Sequence, residues 1–411
     1  MSDPIAVSGI GIISPLGISL ASFAPRLFAG DSGIAPLTLF ATGEGGQPLA
    51  AQVDGFRPQD HLRPATARRM DRLSQMVAAA GRMAQDDAGL MIDAGNRDHI
   101  GVTVGTCFGG TDVAATFGKV LFDEGPRRVN PILVPNTVMN APAGHLAIEL
   151  GVRGVNTTVN HREVSAETAI GHGAALLRRG HAAAIFAGGG DILSPFAMTV
   201  FARFAALSPG DGGEEGAFPF DRRANGLVLG EGTAMLCLEP LSRTRARGGR
   251  PYCLLAGCGM ASAPAPATGW PASPEGSVLA MQRALAAAGI EAAQVDVVCA
   301  SANGAPALDR LEAQAIAQVF AGSRPRVVAE KGALGEGLSS GATRAAAMAL
   351  SLRDQRLAPV VGLSQPIADF DFVRKGDVEK RPLRYGLVNG IAAGGTFVAL
   401  VFKALAEGEG R

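Results

Sequence analysis

Short apolar runs alternate with amphipathic stretches along almost the whole chain, and this alternation constrains the fold more than any other feature of the sequence. Residues 5–13, 99–106, 155–160, 182–187, 232–238, 295–300, 326–329 and 396–402 are predicted strands. Most are apolar on both faces, as strands are when helices cover both sides of their sheet. Residues 65–89, 140–150, 165–178, 275–288, 309–320 and 341–353 carry the helical period. Strand and helix in alternation define an α/β protein. A chain of 411 residues exceeds what one hydrophobic core usually serves, so two lobes or a duplicated architecture are expected.

Glycine clusters at 188–190 and 394–395 follow predicted strands and are expected to form turns where backbone passes closely. Residues 261–274, rich in Ala, Pro, Ser and Gly, form a predicted loop. With 241–249 they bracket a boundary, dividing the chain into an N-terminal half, 1–242, and a C-terminal half, 243–411. Hydrophobic residues make up 47% and Gly numbers 55, which suits close packing of helices on sheets and excludes a disordered chain.

Charge excludes other classes. The 37 basic and 37 acidic residues balance, and no basic cluster of nucleic-acid type occurs, so no nucleic-acid partner is expected. No apolar run reaches the ~20 residues that span a bilayer, so no membrane partner is expected either. Residues 1–7 are neither basic nor followed by a cleavage-type sequence, and a cytoplasmic location is expected. The cysteines, Cys107, Cys237, Cys253, Cys258 and Cys299, fit neither a zinc site nor a redox pair; no metal or cofactor is expected. Four of them lie in apolar strand-like runs as inert core residues, and neither Cys107 nor Cys299 is expected to act as a nucleophile.

The remaining motifs resemble one family. Ser8-Gly9-Ile10-Gly11 with Ser14-Pro15-Leu16-Gly17 looks like the opening of the elongating β-ketoacyl-acyl-carrier-protein synthases. Arg69-Met70-Asp71, Val134-Pro135-Asn136-Thr137, Ala143-Gly144-His145-Leu146 and Ala187-Gly188-Gly189-Gly190-Asp191 are similar to later blocks. The most specific block is Phe218-Pro219-Phe220-Asp221-Arg222-Arg223-Ala224-Asn225-Gly226, running on to Leu229-Gly230-Glu231-Gly232. The blocks occur in family order over essentially the whole chain. The resemblance implies a thiolase-like αβαβα fold of five layers, built from two duplicated halves, and a dimer formed across the first half.

In that family a cysteine at a helix start takes the acyl chain from its carrier, and two histidines from later loops assist decarboxylation and stabilise the oxyanion. The chemistry needs a thiolate of lowered pKa and donors where negative charge develops. The resemblance puts Glu163 at the cysteine position, in Asn160-His161-Arg162-Glu163-Val164-Ser165. No cysteine lies between Cys107 and Cys237. Ser301, in Ala300-Ser301-Ala302-Asn303-Gly304, takes the place of the first histidine, with Pro306, Asp309 and Glu312 matching downstream. In Glu330-Lys331-Gly332-Ala333-Leu334-Gly335-Glu336 the lysine is kept and Glu336 replaces the second histidine. Independently of any alignment, the six histidines are His61, His99, His145, His161, His172 and His181, so none falls in the second half. Condensation by the family mechanism is therefore chemically closed to this chain alone.

Ala393, in Asn389-Gly390-Ile391-Ala392-Ala393-Gly394-Gly395-Thr396, stands where the family carries a bulky phenylalanine gate. These losses on an intact scaffold resemble the chain-length-factor subunits of type II polyketide systems, as does Leu338-Ser339-Ser340-Gly341. Those subunits usually carry glutamine, not glutamate, at the nucleophile position. A buried Glu163 would need compensation from Arg162, His161 or Lys331, and Lys331 is expected to pair with Glu336 or Glu163, because Ala345 occupies the place of its usual glutamate. By the same resemblance Thr111, Ala114 and Gly118 gate an acyl channel and, being small, leave it long, with bulky Phe117 one step away. The expected function is a non-condensing subunit that pairs with an active ketosynthase, meets an acyl carrier protein and shapes the channel for a polyketide, polyene or fatty-acid-type product. Two other readings stand beside it. One is a stand-alone hydrolase, decarboxylase or acyltransferase using Glu163, Ser301, Lys331 and Glu336, since a carboxylate can attack a thioester or act as general base. The other is a homodimeric acyl-binding protein.

Overall fold

The computed structural model describes residues 3–42, 47–210, 212–377 and 382–406. Ten principal strands carry the architecture. In the first half they are β1 (Ile5–Ile13), β2 (Ile100–Gly105), β3 (Asn156–Val159), β4 (Ala184–Asp191) and β5 (Gly232–Pro240). In the second they are β6 (Cys253–Ser262), β7 (Val297–Cys299), β8 (Arg326–Val328), β9 (Tyr385–Ala392) and β10 (Thr396–Lys403). The first five stand in the order β3-β2-β4-β5-β1 and the second five in the order β8-β7-β9-β10-β6, with Asp371–Phe372 added beside β8. In the first set β3-β2-β4 are parallel, while β4-β5 and β5-β1 are antiparallel. The second repeats that pattern step for step: β8-β7-β9 parallel, β9-β10 and β10-β6 antiparallel. The halves are thus two copies of one topology, joined edge to edge where Ile5–Val7 of β1 pairs with β6.

Seven helices matter to the site: α1 (Arg72–Ala88), α2 (Thr111–Glu124), α3 (Ala141–Leu150), α4 (Ser165–Arg178), α5 (Glu275–Ala288), α6 (Pro306–Val319) and α7 (Gly341–Asp354). The outer layers are α1 with α3 on the first half and α5 with α6 on the second. α4 and α7 form the middle layer, touching each other and strands of both halves. Residues 341–352 of α7 are all buried, which explains their small, Ala-rich character: a helix walled by protein on every side has no room for a polar face. Gly341 is one necessity of that packing, since a Cβ there would stand 1.9 Å from the carboxylate of Glu167 on α4. The result is the expected thiolase-like fold.

Four expectations need correction. The predicted helix over 65–89 is two helices, Pro64–Ala67 and α1, separated by residues 68–71; Asp71 is extended (ψ 170°) and caps α1 by accepting from the Ser74 N–H. Gly188–Gly190 lie within β4 and make no turn; they are there for proximity, as a Cβ on Gly188 would meet the Ala234 carbonyl at 2.1 Å. The expected loop over 261–274 gives up Ala261 and Ser262 to β6. Cys107, read as a strand residue, follows β2 in a loop.

Candidate functional site: a carboxylate cleft between the halves

Glu163 sits in a 3-10 turn, Arg162–Val164, that leads directly into α4. Arg162 at its head has φ +56°, a left-handed conformation that costs a non-glycine residue roughly 1–2 kcal/mol. The strained residue turns the chain so that Glu163 faces the second half. There the hairpin between β9 and β10 passes close by, its corner made by Gly394 and Gly395 (φ +84° and +87°), and the Ala393 N–H donates to Glu163 Oε2 at 3.1 Å. Arg162 Nε lies 3.7 Å from the same oxygen, and the Arg162 guanidinium also donates to the Ala267 carbonyl. Burial pushes the Glu163 carboxyl above the usual carboxylate range, while Arg162 pulls the other way.

The other three positions form one buried group. Lys331 begins a short helix, Lys331–Leu334, and its Nζ lies 2.6 Å from Glu336 Oε2. Asn303 Nδ2 donates to that oxygen at 2.8 Å, and Lys331 Nζ reaches Ser301 Oγ at 3.5 Å. Ser301 Oγ also accepts from the Ile391 N–H, and its own N–H is held by Glu312 Oε1. Glu336 Oε1 is buried with no hydrogen-bond partner among the described residues.

A cleft of about 260 Å³ opens over these groups. Glu163, Glu336, Asn303, Arg162 and Ala393 line it, between apolar walls that include Phe201, Phe204 and Trp270. The fold therefore unites Glu163, Glu336 and Ala393, with Lys331 and Ser301 behind Glu336. Thr111, Ala114 and Gly118 lie elsewhere, on α2, where each is half-buried and none touches this cleft. Among the described residues there is no group of three or more His, Cys, Asp or Glu side chains placed to hold a metal ion.

Behind the cleft stands a cluster that the sequence did not reveal. Arg344 on α7 is 1% exposed and pairs with Glu167 of α4. It also donates to the carbonyls of Asn389 (2.5 Å) and Ala300 (3.3 Å). Burial alone would lower the Arg344 pKa, but the carboxylates around it outweigh that and raise it. Burial raises Glu167 and Glu312, and takes Glu330 to about 8. The one sequence signal was an Arg set among the alanines of a helix, and its partner is 177 positions away.

Burial, reinforced by Asp191 and Glu163, pushes Cys107 well above its ordinary value, and burial does the same to Cys299.

The chain belongs to the beta-ketoacyl synthase family: its residues 2–244 match the N-terminal domain model and residues 252–364 the C-terminal domain model. It is 32% identical over 409 residues to the 3-oxoacyl-[acyl-carrier-protein] synthase 2 of Vibrio cholerae, covering 98% of this chain and 99% of the relative. Among solved structures it is similar to the ishigamide ketosynthase/chain length factor, with 29% identity, TM-score 0.92, and 99% of this chain and 100% of that chain covered. It is similar also to a beta-ketoacyl synthase from Burkholderia phymatum STM815, with 26% identity, TM-score 0.89, and 98% and 100% covered.

Proposed function

We propose that this protein is the non-condensing, chain-length-factor-like partner of an active ketosynthase, in a system that builds a chain on an acyl carrier protein. The observation that carries this reading is the hydrogen bond from the Ala393 N–H to the Glu163 carboxyl, across the place where the family's acyl chain is attached. A carboxyl group fills the spot where a thioester would form, and a donor suited to a developing oxyanion is already occupied. Ser301 and Glu336 supply no imidazole, and Lys331 is tied up in a buried ion pair. The similarity to a ketosynthase/chain length factor supports the same reading.

The outer surface of the first half also suits a partner chain. β3 ends the sheet with one edge unpaired among the described strands. None of the residues of α2 is buried, and nearby Phe122, Ile132, Val134 and Val138 are exposed apolar side chains. The test is co-expression with a ketosynthase that has its cysteine and histidines, followed by size-exclusion chromatography and mass spectrometry. A one-to-one complex that extends acyl chains, with the lone chain inert, is the expected result. Extension by the purified lone chain would overturn the proposal.

A further inference from the structure

We infer that the groove along α4 selects the partner by charge: it takes a helix that presents Asp or Glu side chains and turns away a second copy of this chain. The inference rests on the reading of this protein as the partner of a ketosynthase and adds to it the chemistry of the partner's docking face.

The groove encloses about 710 Å³ and is separate from the cleft between the halves. Its floor is α4, through Thr168, Gly171, His172, Ala175 and Arg178, which recur every three or four residues and so share one face of the helix. Residues 157–160, on and just after β3, form one wall, and Cys258 and Met260 of β6 form the other. The charge of the groove has one sign. His161, His172 and Arg178 line it, and no Asp or Glu does so. Arg178 donates to the Leu255 carbonyl at 3.1 Å, and no carboxylate shares the groove with it. Exposed Arg283 of α5 donates to the Met260 carbonyl at 2.6 Å, which adds a cation beside the β6 wall. On the opposite wall Thr158 Oγ1 is buried with no hydrogen-bond partner among the described residues, a donor open to an incoming carboxylate.

The place of the groove in the fold decides what meets it. β3 is the free edge of the sheet. An equivalent strand added antiparallel to that edge is related to it by a two-fold axis perpendicular to the sheet. Such an axis keeps both copies of α4 on the same face of the joined sheet, so one groove opens onto the other. In a self-dimer a groove lined by cations faces an identical one. Like charges set against each other across an interface cost affinity, whereas opposite charges favour both encounter and register. An unlike chain of the same fold obeys the same geometry, and carboxylates on its equivalent helix meet His161, His172 and Arg178 as complements.

The test makes the acidic partner from the chain itself. His172→Glu with Arg178→Glu gives a full-length copy whose groove carries carboxylates. Sedimentation velocity at neutral pH should show the parent and this variant associating at least about tenfold more tightly with each other than either does alone. Raising NaCl from about 0.05 M to about 0.5 M should weaken the mixed dimer markedly, because the screening length falls about threefold. If the double variant does not fold, His172→Glu alone, at an exposed position, takes its place. Self-association of either protein as tight as that of the mixture, or a mixed dimer indifferent to salt, would overturn the inference. A mixture that stays monomeric would overturn it too and leave the groove to a small anion, for which inorganic phosphate titrated into the parent is the probe. No ketosynthase is present, so failure here leaves co-purification to be judged by itself, and failure to co-purify leaves this comparison intact.

Discussion

Lys331 Nζ and Glu336 Oε2 lie 2.6 Å apart, and each side chain is 2% exposed. The proposed function reads this carboxylate as standing in a histidine's place beside a lysine of the family motif. Losing one member of a buried pair leaves a charge without compensation, which costs about 3–5 kcal/mol, whereas replacing both by apolar side chains is often neutral. Lys331→Met should therefore destabilise the chain by that amount, and Lys331→Met with Glu336→Leu should recover most of it. Urea unfolding of the two variants checks this. An equal loss in the single and the double variant would mean that the pair is not what the residues contribute.

The Arg344 cluster makes a pH prediction. Burial raises Glu330 to about 8, far above the ordinary glutamate range. The folded chain therefore holds a proton on Glu330 that the unfolded chain gives up near pH 4.5. The associated stability is fully present below that pH and declines as pH rises towards 8. Glu330→Gln keeps a neutral side chain at all pH values. The variant and the parent should be similar near pH 5, and the variant should become progressively more stable than the parent up to about pH 8. Thermal melts of both proteins across that range give the comparison, and a constant difference would refute the assignment.

The legible and the hidden parts of this molecule differ for physical reasons. β1 was readable to its ends because every residue of 5–13 is buried and none is strongly polar. β9 was not, because Tyr385–Ala392 carries Gly386, Asn389 and Gly390, which depress strand propensity. The glycines are needed because α7 and α4 press on the strand: a Cβ on Gly386 would meet Met348 Sδ at 2.1 Å, and one on Gly390 would meet Glu167 Oε1 at 2.7 Å. Asn389 is spent inside the core, donating to Glu312 at 2.6 Å. In the site, the absence of any histidine after His181 could be read from residue types alone. That Glu163 would be met by a backbone N–H 230 positions away could not, because it depends on how the two halves face one another.

Native thiol reactivity offers a check on the proposed non-condensing role. Cys237, Cys253 and Cys299 are buried, and burial raises Cys258 to about 11 and Cys107 well above its ordinary value. At pH 7.5 almost no thiolate exists at any of them. Iodoacetamide should modify the folded chain well over tenfold more slowly than free cysteine, and should reach all five thiols after unfolding in guanidinium. Rapid stoichiometric labelling of Cys107 in the folded state would expose a nucleophile beside the cleft and contradict the non-condensing reading.

Channel length is the last prediction, and it separates a surface role from a folding role. Gly118 sits mid-helix on α2, and a Cβ placed there meets nothing within 4 Å in this chain. Ala114, one turn earlier, is only half-buried. Neither position supports the core, so bulk added there projects outwards, towards the proposed partner. In an exposed helix a glycine is worse than most side chains by up to about 1 kcal/mol, so Gly118→Leu should leave the lone chain as stable as before or slightly more so. In the complex, Gly118→Leu and Ala114→Phe should both narrow the proposed acyl channel and shorten the product by one or more two-carbon units, with co-purification retained. Mass spectrometry of the released chains reads the outcome. Products of unchanged length from an intact complex would remove α2 from the channel wall and leave these small residues as interface packing.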